Sequence, residues 1–95
     1  MKRNRRGKMI SIDQKMVYSG KFSNMRAEAQ LLYFYLAVAA DDDGLADVSV
    51  ACSLTGTNFI EVSILLKAGL IEVNGDDKSL AKVNGVNIIR ETVYK

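Results

Sequence analysis

Ninety-five residues, 48% apolar and 25% charged, are the size and composition of one folded domain. With no histidine and a single cysteine, the chain excludes Cys₂His₂ and His₃ zinc sites, histidine-based triads and an internal disulfide. The formal charge of +2 conceals an asymmetry: Lys2, Arg3, Arg5, Arg6 and Lys8 precede the first acid, and residues 9–95 then hold eight basic against eleven acidic side chains.

A basic arm on a mildly acidic body is the pattern of a tail that meets a polyanion. The competing reading is a solubilising end. Residues 1–8 are expected to be disordered when free, and 9–95 to form the domain. No apolar run reaches the ~18–20 residues of a membrane span, and no secretion signal opens the chain, so the expected location is cytoplasmic. Glycine-rich phosphate loops are also missing. The expectation is a non-enzyme without cofactor or metal.

In chain order, residues 9–12 read as a short extended segment and 13–22 as a helical turn broken at Ser19–Gly20. A helix follows from about Met25 to Ala40, capped by Ser23 or Asn24, with Glu28 in its first turn. Ala27, Leu31, Phe34 or Tyr35, and Val38 recur at helical spacing. Leu32, Leu36 and Ala39 widen the stripe, which predicts a helix at the centre of the core. It runs into Asp41-Asp42-Asp43-Gly44. Carboxylates oppose the dipole at a helix C-terminus, so they do not serve that helix. As a calcium loop with Gly44 sixth, the first and twelfth positions fall on Ala39 and Val50, which carry no ligand. The stretch reads as a turn.

Residues 45–48 offer a short extended segment, and Asp47 an N-cap for a helix over 48–54 that ends at Gly56. Asn58 and Glu61 form a capping box for a third helix running to about Ala68, closed by Gly69. Residues 70–75, 79–83 and 86–94 read as strands, with hairpin turns at 75–78 and at Asn84–Gly85. Three helices, a short strand after the first, and a C-terminal β-hairpin with room for an extra strand define an α+β winged helix–turn–helix.

The segment from Ser19 to Leu45 resembles the start of phage replisome organisers and of DnaD-like primosomal proteins. The shared pattern comprises Ser19, Lys21, Phe22 and Met25, then Ala29, Gln30, Leu32, Tyr33, Phe34 and Leu36, then Ala40 to Gly44. Residues 65–71 resemble the same family's passage from third helix into wing. The resemblance implies an N-terminal winged-helix domain that helps start DNA replication, with DNA, replication-initiation proteins or a second copy of itself as partners. It also implies that the aspartate turn is structural.

Two readings stay open. In one, DNA phosphates are held mainly by Lys2, Arg3, Arg5, Arg6 and Lys8, with Asn58, Ser63, Lys67, Lys78 and Lys82 as further candidates. The third helix suits base reading poorly, because Lys67 is its one cation and Glu61 cancels it. In the other, the domain is an assembly module. Phe59, Val62 and Leu65 or Leu66 then pack inward, and Ile60 and Ile64 form an exposed apolar pair. A transcriptional regulator fits the fold but not the resemblance. Cys52 reads as a small buried apolar residue.

Overall fold

A computed structural model describes residues 6–92, and side chains from Met9 to Asn87. Among these residues the chain is an α+β domain of five helices and two small antiparallel sheets. Strand β1 (Arg6–Ile12) leads into two one-turn helices, α1 (Gln14–Val17) and α2 (Gly20–Ser23). Asp13 and Ser19 start these helices by accepting from the Lys15 and Phe22 amides. Helix α3 (Ala27–Ala39) precedes β2 (Leu45–Asp47), α4 (Val48–Thr55) and α5 (Phe59–Lys67); β3 (Ile71–Val73), β4 (Leu80–Val83) and β5 (Val86–Thr92) complete the chain.

The two short helices fall where residues 13–22 read as a helical turn broken at Ser19–Gly20, and the second displaces the start of the long one. Asn24 ends α2, so neither it nor Ser23 caps α3, and Arg26 stands at the N-cap without a side-chain bond. Gln30 bridges the break instead. Its amide donates to the Phe22 and Met25 carbonyls, each at 3.1 Å, and to that of Ser23 at 3.3 Å.

Leu32, Tyr33 and Leu36 of α3 meet Leu65 of α5 and Ile71 of β3 in the fully buried centre. Ala29, Ala37, Ala40, Ala46, Ala51 and Ala81 surround them. Such small side chains let helices and sheet approach closely. Phe22, Tyr33 and Phe34 stack edge to face with centroids 5.5–5.6 Å apart.

The three-stranded sheet has the order β2-β4-β3. Its register pairs Ala46 with Ala81, and Ile71 with Val83. Beyond β4 the structure departs from expectation. Asn84–Gly85 does not close a hairpin. β5 leaves the sheet and pairs with β1 from Arg6↔Thr92 to Ile12↔Val86. Gly85, at φ +80°, makes this corner. A Cβ there would lie 3.1 Å from the Tyr33 hydroxyl and 3.2 Å from Met16 Cε, so the corner sits directly against the core. Arg6, Gly7 and Lys8, expected in a disordered arm, are therefore strand, in register with Thr92, Glu91 and Arg90 of β5. Residues 1–5 of that arm lie outside the described residues.

Candidate nucleic-acid interface

Helices α4 and α5 meet at a bend of 119°, within the ~90–120° of a helix–turn–helix. Gly56 at φ +70° closes α4. Asn58 opens α5: its Oδ1 accepts from the Ile60 amide at 2.8 Å, while Glu61 Oε1 accepts from the Asn58 amide at 2.9 Å. Glu61 is buried, and its second oxygen pairs with Arg26 at 3.4 Å. Neither polar residue is thereby free to read a base. At the other end of α5, Lys21 donates to the Ala68 carbonyl at 3.2 Å, a favourable place for a cation.

The outward face of α5 differs from expectation. Phe59 is 74% exposed and Ile60 is 54% exposed, whereas Ile64 is half-buried against the core. The exposed apolar side chains of α5 are thus Phe59 and Ile60, while Val62 and Ile64 pack against the core. Ser63 is half-buried, and Lys67 is exposed in the last turn.

Among the basic candidates, Arg6 and Lys8 occupy alternate positions of β1, and Lys2, Arg3 and Arg5 lie outside the described residues. Lys78 is exposed in the β3–β4 hairpin. Beside it, Asp77 accepts from the Ser79 hydroxyl at 2.6 Å and from the Ser79 amide at 3.0 Å. These bonds hold the Asp77 carboxyl below its ordinary pKa. Lys82 opposes Glu72 in the sheet register and lines an open depression of about 220 Å³ with Asp42 and Asp43. Acidic neighbours make it a poor phosphate ligand. Among the described residues the basic candidates therefore fall in three places: the β1–β5 ribbon, the end of α5 and the hairpin.

The aspartate stretch is a turn. Asp41 Oδ1 accepts from the amides of Asp43 and Leu45 at 2.9 and 3.0 Å, and Gly44 takes φ +81°.

Helix α3 was expected to be buried on most of its circumference. One side of it is not: Leu31, Tyr35 and Val38 are exposed, the last at 66%. Ala27, Leu31 and Phe34 line a further open depression of about 440 Å³ with Glu28 and Gln30. The opposite side of α3 supplies the core, and the described elements are too few to cover both. No single helix among the described residues is long and apolar enough to cross a membrane. Comparison with family models, with curated proteins and with solved structures returned no match.

Proposed function

We propose that this chain is a winged-helix DNA-binding domain of a phage or bacterial replication-initiation protein, of the replisome-organiser kind. The observation that carries the reading is the sheet order β2-β4-β3 beside two helices bent by 119°. On this reading α4–α5 is the helix–turn–helix and β3–β4 the wing. The resemblance of residues 19–45 to replisome organisers supplies the replication context. DNA is held by its phosphates, through the basic N-terminal residues and Lys78, because α5 presents Phe59 and Ile60 where a reader would present arginine or asparagine.

The test is fluorescence anisotropy of a labelled duplex over a salt series, comparing the intact chain with a variant carrying Lys2→Gln, Arg3→Gln and Arg5→Gln. These three positions precede β1. Each phosphate contact contributes about −0.9 to the slope of log K against log salt. The expected result is a steep slope for the intact chain, flattened by roughly 2–3 in the variant. Equal slopes would remove the N-terminal residues from the interface.

The exposed Phe59–Ile60 pair favours a second reading, a replisome assembly module with little DNA affinity. Absence of duplex binding by the intact chain near physiological salt selects it.

A further inference from the structure

Two asparagines precede a glycine, Asn74 and Asn84, and the fold holds them in opposite ways. An Asn–Gly step is the most reactive setting for an asparagine, because no side chain shields the glycine amide nitrogen from the carboxamide before it. Asn84 is locked. Its side-chain NH₂ donates to the Gly69 carbonyl at 2.9 Å and to Glu72 Oε2 at 3.1 Å. Its backbone carbonyl accepts from Tyr33, and Gly85 beside it has a positive φ and lies against Tyr33 and Met16.

Asn74 stands at the root of the β3–β4 hairpin. Its Oδ1 accepts from the Asp76 amide at 2.8 Å, which folds the carboxamide back over the Gly75 peptide. The same bond polarises the carboxamide carbonyl, where negative charge develops when a nucleophile adds. Among the described residues, neither the Asn74 NH₂ nor the Gly75 amide has a hydrogen-bond partner. Gly75 is exposed, a Cβ there would meet open space, and its φ is not positive. The backbone therefore does not require glycine at this position. What glycine contributes is an unshielded amide.

We infer that Asn74 is a self-modification site, deamidated in the folded protein by attack of the Gly75 amide nitrogen on Asn74 Cγ, which places a new carboxylate in the hairpin beside Lys78. As the nitrogen–Cγ bond forms, a five-membered succinimide closes and the bond from Cγ to the side-chain NH₂ breaks. Ammonia leaves, carrying the proton lost from the Gly75 amide. Water then opens the succinimide at either carbonyl. Opening at Cγ gives aspartate, and opening at the backbone carbonyl gives isoaspartate, whose chain runs through Cβ. The balance is asparagine and water to acid and ammonia, with no oxidant or reductant. The new charge joins Asp76 and Asp77 next to Lys78, which is exposed in the same hairpin. The consequence rests on the DNA-binding reading above: the hairpin loses phosphate affinity as the molecule ages.

The test incubates the full chain, folded and in urea, at neutral pH in water enriched in heavy oxygen, and maps the label by peptide mass spectrometry. The folded chain is expected to take up label at residue 74. Asn84 should react roughly tenfold or more slowly when folded than in urea, the effect of its two side-chain bonds. In urea both steps should react alike. Gly75→Ala, which fits the open space, should keep the fold and suppress the reaction. Anisotropy of a labelled duplex then reads the consequence. Asn74→Asp and aged wild type should bind several-fold more weakly than fresh protein, with a salt slope flatter by up to about 1. Aged Gly75→Ala should bind as it does when fresh. An Asn74 that stays intact in the folded chain while reacting in urea overturns the inference. So does an Asn84 that reacts as fast as Asn74 in the folded chain. Label at residue 74 with unchanged duplex binding overturns the loss of affinity and leaves the DNA reading intact. No duplex binding by the fresh chain overturns that reading, and the labelling still decides the site.

Discussion

The Tyr33 hydroxyl donates to the Asn84 carbonyl at 2.7 Å, tying the middle of α3 to the residue at which the chain leaves one sheet for the other. Asn84 is held on its other sides as well. Its amide donates to the Leu70 carbonyl at 2.9 Å, and its side chain to Gly69 O and Glu72 Oε2 at 2.9 and 3.1 Å. The corner between core and ribbon is therefore a fixed joint whose strength depends on Tyr33.

Burial first, and then the negative charge of Asp13, push the Tyr33 phenol up to about 12 from its ordinary 10. A raised pKa gives stability that is present below the unfolded value and lost as pH climbs to the folded one. Stability should thus fall between pH 10 and 12, by up to about 2–3 kcal/mol from this group. At neutral pH, Tyr33→Phe should cost about 1–2 kcal/mol for the lost bond and the orphaned carbonyl. Urea denaturation of both proteins at several pH values checks this. The gap between them should narrow across that window, and a constant gap would refute the assignment.

Gly85→Ala should be more damaging than Gly56→Ala. Both glycines have positive φ, but the space around Gly56 is open, whereas a methyl at Gly85 meets Tyr33 and Met16. The backbone term is about 1–2 kcal/mol in each case. Thermal denaturation should show the larger loss for Gly85→Ala, together with faster amide exchange in β1.

Glu61→Ala should destabilise by about 1–2 kcal/mol, because it removes a cap from the Asn58 amide and a partner from Arg26. Arg26 is half exposed, so Arg26→Ala should cost under about 1 kcal/mol. Chemical denaturation of the two variants would contradict this ranking if Arg26→Ala proved the costlier.

Val38→Lys should change stability by no more than about 0.5 kcal/mol, since Val38 is 66% exposed on the outward side of α3. Leu36→Ala, on the opposite, fully buried side of the helix, should cost about 2–5 kcal/mol. A large loss for Val38→Lys would mean that another surface covers it in solution.

The elements announced by local chemistry were legible in the sequence. The Asn58–Glu61 box, the Asp47 cap and the strands at 71–73 and 80–83 depend on residues close together in the chain, and the structure places each where those residues lie. What escaped depends on distant partners. The pairing of β1 with β5 joins residues from the two ends of the sequence, so Asn84–Gly85 looked like the hairpin turn its dipeptide normally makes. The exposure of Leu31, Tyr35, Val38 and Phe59 was hidden for a different reason. An apolar pattern states which side chains avoid water, but not how many elements are available to cover them.

The ribbon also determines how this domain responds to pulling. Arg6 and Thr92 face each other at one end of an antiparallel pair, so tension between them loads one hydrogen-bonded pair at a time instead of shearing all of them together. The strands would peel apart in sequence towards the Asp13–Gly85 clasp, while the helices and the three-stranded sheet carried none of the load. Under such a load the ribbon would open from its free end, as a tear strip does.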